Sequence, residues 1–214
     1  MLTLYYSPGS CALAPHIALV DAGATYQTVR LDFSKQEQLT PNYLAINPKG
    51  RVPSLITDHG VLTEIPALLA YIAQTFPAAK LAPLDDPFAF ARVQSFNSYL
   101  CSTCHVAHAH RQRGYRWVDA DDKTALEAMR RKVPASVTQC FELIERDMLQ
   151  GPWVMGETYS ICDPYLYTLA TWLEGDSVDV GKLPKVRDHR QRMAQRANVK
   201  RALAEQMDVA KTAA

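Results

Sequence analysis

The chain has 214 residues, of which 48% are hydrophobic and 21% charged, and this balance of an ordinary globular protein excludes a mainly disordered chain. Its 23 basic and 22 acidic side chains leave a net charge of +1, without the basic excess from which nucleic-acid binders gain affinity. No apolar run approaches membrane-spanning length and residues 1–6 do not resemble a signal peptide, so we expect a cytoplasmic protein without nucleic-acid or membrane partners. In that compartment the five cysteines are expected to be reduced thiols.

The first 76 residues alternate short strand-like runs with helical ones. The predicted order is strand 2–6, helix 11–22, strand 26–33, irregular segment, strand 52–57, strand 61–62 and helix 64–76. Asp58-His59-Gly60 between the last two strands is a hairpin signal. This order predicts one small sheet with helices packed against it.

Residues 77–87 contain three prolines and no periodicity, so they are predicted to be a linker. From residue 88 the patterns are helical, with predicted helices at 88–110, 122–149, 165–173, 182–196 and 198–207. Pro134 predicts a kink or break in the second of these. Ser160-Ile161-Cys162-Asp163 has the spacing of a helix start, and its hydroxyl and carboxylate are interpreted as structural caps. The prediction is an α/β domain at 1–76, a linker at 77–87 and an all-α domain at 88–214.

Cys11 lies where the first predicted strand gives way to the first helix. Unpaired N–H groups and the partial positive charge of a helix N-terminus favour a thiolate, so this position predicts a lowered pKa and a nucleophile. The alternative is a buried, inert cysteine. Pro8 occupies the position where a C-x-x-C pair would have its first cysteine, which excludes two-cysteine exchange within this motif.

Val52-Pro53 and Glu64 are the other candidate binding residues in the first domain. Val52-Pro53 opens a strand, and a cis bond there would leave the Val52 backbone free to pair with a peptide-like ligand. A trans proline at a strand start is the alternative. Glu64 begins a helix, where its carboxylate could receive an ammonium while neighbouring N–H groups take a carboxylate. Alternatively, Glu64 is only a favourable acid in a first turn.

Cys101-Ser102-Thr103-Cys104-His105 matches the C-x-x-C-H pattern of c-type haem attachment. With His108, its Cys and His side chains also share one helix face, a spacing that zinc can use. The haem pattern requires export, and its place in a long helix favours a third interpretation, in which these side chains line a domain or dimer interface.

Three motifs of the first domain are informative together: Tyr6-x-Pro8-Gly9-Ser10-Cys11-x-Leu13-Ala14-x-His16, Asn47-Pro48-Lys49-Gly50-x-Val52-Pro53, and Thr63-Glu64 with Ala67 and Tyr71. They resemble the bacterial beta-class glutathione transferases, and the resemblance runs nearly end to end. It implies a thioredoxin-like N-terminal α/β domain, an all-α C-terminal domain and a homodimer that serves detoxification. It further implies glutathione as co-substrate, a small apolar electrophile as second substrate, and neither a permanent cofactor nor a metal.

The resemblance also assigns roles to individual residues. The implied catalytic residues are Cys11, Tyr6, Ser10 and His105, and the implied glutathione-binding residues are Lys35, Arg51, Val52, a cis Pro53, Glu64 and Ile65. Ile65 stands where the superfamily often has Ser, and residues 105–117, which would shape the second-substrate pocket, diverge most.

Two chemistries and one alternative function remain open at this point. The expected activity is that of a glutathione S-transferase, in which the glutathione thiolate attacks an electrophile, and Cys11 could add thiol–disulfide exchange. The alternative is a non-catalytic protein of the same fold that binds glutathione or a hydrophobic ligand.

Overall fold

The computed structural model describes residues 1–207, which form a four-stranded sheet with helices followed by a helical part. The first part contains β1 (Leu2–Tyr6), α1 (Leu13–Asp21), β2 (Tyr26–Arg30), α2 (Pro41–Ile46), β3 (Ser54–Thr57), β4 (Gly60–Thr63) and α3 (Ile65–Thr75). The second contains α4 (Pro87–Tyr99), α5 (His105–Arg113), α6 (Lys123–Leu143), α7 (Cys162–Ala170), α8 (Pro184–Gln195) and α9 (Ala197–Met207). The predicted fold class, a thioredoxin-like α/β domain followed by an all-α domain, is confirmed.

The sheet has the strand order β2-β1-β3-β4. β1 runs parallel to β2 and antiparallel to β3, and β3 and β4 form the predicted hairpin. In this register Leu4 pairs with Thr28 on one side and with Leu55 on the other. Because parallel neighbours need a crossover, α1 connects β1 to β2 and packs against the sheet.

The segment between β2 and β3 is more regular than its sequence predicts. β2 ends at Arg30 and not at residue 33, because the Asp32 carboxylate accepts a hydrogen bond from the Ser34 N–H at 2.9 Å and starts a 3-10 turn. The short helix α2 was not predicted. It begins where Thr40 Oγ1 accepts from the Tyr43 N–H at 3.4 Å, with Pro41 in the first turn.

The predicted helices of the second part are present with changed bounds. The first continues from Pro87 to Arg113 but has a π-helical turn at Leu100–Cys104. Of the kink or break predicted at Pro134, the break is absent, because α6 runs through this residue. Val133 and Val137 beside the proline are buried, so packing against the core outweighs the lost backbone hydrogen bond. α7 begins at Cys162, earlier than predicted, and ends at Ala170.

The segment before α7 has the structural role that its sequence indicated. Asp163 is fully buried and accepts hydrogen bonds from the N–H groups of Val154 at 2.8 Å and Ser160 at 2.7 Å. Nε2 of His189 in α8 lies 3.0 Å from the same carboxylate. The sequence had shown no partner for His189, because the two residues are 26 positions apart.

One hydrophobic core joins the sheet part to the helical part. It is continuous from Leu4 and Leu55 in the sheet through Leu68 in α3 to Phe141 and Tyr165 in the helices. The boundaries at residues 76 and 88 stay a prediction, and the end of the last predicted domain, residues 208–214, lies outside the described residues. Within residues 1–207, no helix combines the length and the apolar character needed to cross a membrane.

Candidate functional site

A cleft of about 460 Å³ opens between the two parts of the molecule. Three of its walls belong to the sheet part: the turn after β1, the loop before β3, and the start of α3. The fourth is formed by α5, the segment that follows it, Tyr165 of α7, and Trp172 just after α7. The cleft therefore collects most of the residues that the motifs singled out, together with several that they did not.

The turn after β1 brings Ser10 and Cys11 to the cleft. Ser10 Oγ donates to the Ser7 carbonyl at 2.6 Å and accepts from the Ala12 N–H at 3.3 Å. The Cys11 thiol is buried and donates to the Val52 carbonyl at 3.6 Å. Burial raises the pKa of Cys11 to about 12, so the predicted low thiol pKa is wrong. Desolvation destabilises the thiolate more than the positive end of the helix stabilises it, because α1 begins only at Leu13 and Cys11 precedes it.

The loop before β3 presents its backbone to the cleft. The Val52–Pro53 peptide bond is cis, as the resemblance implied. The carbonyl of Arg51 accepts hydrogen bonds from the Tyr43 hydroxyl at 2.6 Å and from Asn47 Nδ2 at 2.7 Å. These two bonds hold residues 51–53 in place along the cleft wall.

The start of α3 combines a carboxylate with the backbone N–H groups of a helix N-terminus. Glu64 precedes the helix with a left-handed φ of 74°, and its exposed carboxylate lies 2.5 Å from Lys49 Nζ. Ile65 is buried in the first turn, so it offers its backbone and not a side-chain donor. A carboxylate beside the positive end of a helix suits a zwitterionic amino-acid group.

His105 and Tyr165 approach the cleft from the helical part. Burial, together with the positive charge of nearby groups, lowers the pKa of His105 to about 4, so its imidazole is neutral at pH 7. The Tyr165 hydroxyl is buried, lies beside the Cys101 thiol and makes no other hydrogen bond within residues 1–207. Burial raises the pKa of this phenol, which therefore stays a neutral donor next to the cleft.

Comparison with known proteins agrees with the resemblance to glutathione transferases that the sequence motifs showed. Residues 1–74 match the family model of the glutathione S-transferase N-terminal domain. A glutathione transferase homologue from Sulfitobacter, crystallised with bound glutathione, is 46% identical, with a TM-score of 0.93 over 97% of this chain and 99% of that one. The beta-class glutathione S-transferase of Sphingomonas chungbukensis is 32% identical, with a TM-score of 0.82 over 96% of this chain and 98% of that one.

The chain belongs to the glutathione transferase family. Glutathione S-transferase GstA of Escherichia coli O157:H7 is a further relative, 29% identical over 205 residues that cover 94% of this chain and 97% of that protein. The beta-class relative agrees with the class that the three motifs indicated.

Two residues that beta-class glutathione transferases would use lie outside the cleft in this member. Tyr6 is buried, and its hydroxyl lies 3.4 Å from the carbonyls of Glu205 and Gln206 in α9. Lys35 ends the 3-10 turn after β2, where its exposed ammonium lies 3.8 Å from Asp32. The other predicted residues line the cleft: Ser10, Cys11, Arg51, Val52, Pro53, Glu64, Ile65 and His105.

The transferase cleft also contains residues that the sequence had not revealed. Tyr165 and Trp172 both line it, although none of the sequence motifs assigned them a role. Trp172 Nε1 donates to the Gly9 carbonyl at 3.1 Å, and its ring stacks on His108 at 4.2 Å between centroids. Arg113 and Arg116 were missed as well. The divergence of residues 105–117 was the signal that could have found them.

The side chains of the C-x-x-C-H motif lie in different surroundings. Within residues 1–207, no group of three or more His, Cys, Asp and Glu side chains could hold a metal ion. The π-helical turn directs Cys104 into the core beside Cys140, while Cys101 lies beside Tyr165. The three ligands of the motif therefore do not converge.

Proposed function

We propose that this glutathione transferase binds glutathione in the cleft as co-substrate and activates its thiolate for attack on a small electrophile. One observation carries the proposal. The turn after β1, the loop before β3 and the start of α3 line one cleft, and His105 and Tyr165 reach it from the helical part. The three segments offer contacts for the successive parts of a γ-glutamyl peptide. The alternative, a binding protein without catalysis, is less well supported, since the relatives reported above have the names of transferases.

The wall of the cleft suggests how glutathione would lie. Its γ-glutamyl ammonium meets Glu64, and its γ-glutamyl carboxylate meets the Ile65 N–H. The cysteinyl part pairs with the Val52 backbone beside Pro53. With Lys35 outside the cleft, we assign the glycyl carboxylate to Arg51, whose side chain lines the same wall.

In this pose the sulfur lies among the turn after β1, His105 and Tyr165. Hydrogen bonds to a thiolate favour the charged form and lower the pKa of the glutathione thiol. Tyr165 is the best placed donor, because its hydroxyl is buried near the thiols of Cys101, Cys11 and Cys104 and has no hydrogen-bond partner of good geometry among residues 1–207. The thiol proton leaves to solvent, a carbon–sulfur bond forms, and the leaving group departs with its bonding electron pair.

Thiol–disulfide exchange through Cys11 is the less favoured chemistry. Exchange needs a thiolate, and a thiol with a pKa of about 12 is almost fully protonated at pH 7. We propose that Cys11 instead holds the Val52 carbonyl in place. Replacing Cys11 by Ala should therefore leave conjugation nearly unchanged.

The first test combines binding and turnover. Calorimetry should show glutathione binding by the wild-type protein and weaker binding by Glu64→Gln, while a chlorodinitrobenzene assay should show conjugation. Cys11→Ala should keep conjugation within a few-fold. No binding of glutathione to the wild-type protein would contradict the proposal. Binding without turnover of any electrophile would favour the non-catalytic alternative, and loss of conjugation in Cys11→Ala would show that Cys11 takes part in the reaction or in holding glutathione.

Tyr165→Phe tests the proposed donor. A hydrogen bond to a charged group is worth roughly 1.5–3 kcal/mol, so the variant should lose about ten-fold or more in kcat/KM and raise the pKa of bound glutathione. Tyr167→Phe is the matched control, because Tyr167 is a buried tyrosine of the same helix that does not line the cleft. Equal activities of both variants would exclude the role of Tyr165.

The remaining features of the proposal concern the whole protein. We propose a cytoplasmic homodimer that serves detoxification, divided into domains at 1–76 and 88–214 with a linker at 77–87. The five free cysteines support a reducing compartment. Every strand of the described sheet lies before residue 64, which supports this domain division. Size-exclusion chromatography with light scattering tests the dimer.

A further inference from the structure

Three arginine side chains, Arg51, Arg113 and Arg116, line the candidate cleft without a carboxylate partner. Among residues 1–207, none of the three forms an ion pair, whereas Arg111 beside them lies 3.5 Å from Asp176. Partial burial lowers the pKa of the Arg116 guanidinium, and the positive charges of nearby Arg51 and Arg113 lower it further. Unpaired cations held close together repel each other, so an anion that binds between them lowers the electrostatic free energy of the site.

The local contacts keep these guanidinium groups near the cleft. The Arg113 guanidinium lies 5.6 Å from the centroid of the Phe33 ring, and its Nη1 lies 3.5 Å from the Tyr115 hydroxyl. The positive charge of Arg116 acts on both the Cys11 thiol and the His105 imidazole, so Arg116 lies near both residues of the cleft.

The acidic side chains near the cleft do not neutralise this charge. Glu64 lines the cleft but pairs with Lys49. Asp176 is buried between His108 and Arg111, at 2.6 Å and 3.5 Å. If glutathione binds as proposed, its glycyl carboxylate meets Arg51. Among residues 1–207, Arg113 and Arg116 then remain in the cleft wall without a carboxylate partner.

We propose that the second substrate is an organic anion, an electrophile with a flat apolar body and a carboxylate that Arg113 and Arg116 bind. This inference rests on the proposed function and names the substrate class of the same site. The rings of Trp172, Trp117 and Phe33 provide the apolar surface for the body of the molecule. Planar guanidinium groups match a carboxylate in geometry, and their pairing is stronger than a neutral hydrogen bond.

The test compares two electrophiles with the same ring and leaving group, a chlorodinitrobenzoate and its neutral methyl ester. In both, the glutathione sulfur bonds to the ring carbon, chloride leaves with the bonding pair, and the thiol proton goes to solvent. After correction for the uncatalysed rates, wild-type kcat/KM should favour the carboxylate by about ten-fold or more, as expected for a charge-assisted contact. This preference should weaken with added salt.

Arg113→Gln and Arg116→Gln should each lower the ratio of the two kcat/KM values, while the KM for glutathione stays nearly constant. Their Lys variants should restore part of the ratio. Arg146→Gln is the matched control, since Arg146 pairs with its neighbour Asp147 on the surface and does not line the cleft. A wild-type ratio near one, or a ratio that neither cleft variant changes, would overturn the proposal.

Binding of the reaction products separates failure of this inference from failure of the proposed function. The glutathione conjugates of the acid and of the ester can be made without enzyme and titrated by calorimetry. If neither substrate is turned over but the acid conjugate still binds about ten-fold more tightly than the ester conjugate, the anion site stands and catalysis fails. Equal affinities of the two conjugates would reject the anion site.

Discussion

At the scale of the residue, Cys11 shows how local position and tertiary environment oppose each other. Its place before a helix predicts a thiolate, and this local argument is sound for an exposed thiol. In the folded protein the same thiol is buried against the Val52 carbonyl, and desolvation raises its pKa to about 12. The sequence identified the position correctly but not the protonation state, because burial depends on residues 41 positions away.

The reactivity of Cys11 follows from that burial. We expect iodoacetamide to modify Cys11 in the ligand-free protein at least about a hundred-fold more slowly at pH 7.4 than it modifies free cysteine, because only the thiolate reacts. Mass spectrometry of the peptide containing Cys11 measures the rate, with Cys11→Ala as control. The rate should still rise at pH 10, and a plateau near pH 7 would show an activated thiol.

His105 should make stability depend on pH. Burial lowers its pKa from the ordinary 6.5 to about 4, so between these values the unfolded state binds more protons than the folded state. The free energy of unfolding should therefore fall as the pH drops from about 6.5 to about 4, by about 2–3 kcal/mol from this residue. Urea unfolding at several pH values should show a smaller fall for His105→Gln. Equal slopes for both proteins would contradict the shifted pKa.

At the scale of the element, the start of α7 depends on one carboxylate. Asp163 accepts hydrogen bonds from two backbone N–H groups of the preceding segment and lies beside His189 of α8. The S-x-x-D spacing predicted a cap, and the structure shows that Asp163 connects the preceding loop, α7 and α8 through hydrogen bonds. The additional partners come from chain segments that no local pattern connects.

Asp163→Ala should therefore destabilise the protein by about 3 kcal/mol or more, because it leaves several buried donors without an acceptor. Chemical denaturation monitored by circular dichroism measures the loss. Asp147→Ala is the control, since Asp147 is exposed and should change stability by about 0.5 kcal/mol or less. A loss below about 1 kcal/mol in Asp163→Ala would show that water or rearrangement replaces the lost acceptor.

At the scale of the whole molecule, the sheet and the helices share one hydrophobic core. α1 packs against α7 and α9, so the first helix of the sheet part contacts the late helices directly. His16 in α1 lies 2.9 Å from Glu205 in α9, whose carboxylate also accepts from the Tyr26 hydroxyl at 2.6 Å. Contacts of this kind couple the two ends of the described chain.

We therefore expect the two parts to unfold together. All three tryptophans lie in the helical part, so fluorescence reports that part, while hydrogen exchange of the Leu4 amide reports the central strand. Both probes should give the same free energy of unfolding. Separate transitions would show that the interface is weaker than the continuous core implies.

The sequence by itself determined the fold class, the motifs of the sheet part and the family. These features follow from local patterns, since periodicity, caps and short motifs act within a few residues. The tertiary structure decided which residues meet in the cleft. Tyr6 and Lys35 do not line the cleft, whereas Tyr165, Trp172, Arg113 and Arg116 do, and burial raises the pKa of Cys11. The physical reason is that side-chain direction, desolvation and the sum of nearby charges depend on packing between distant segments.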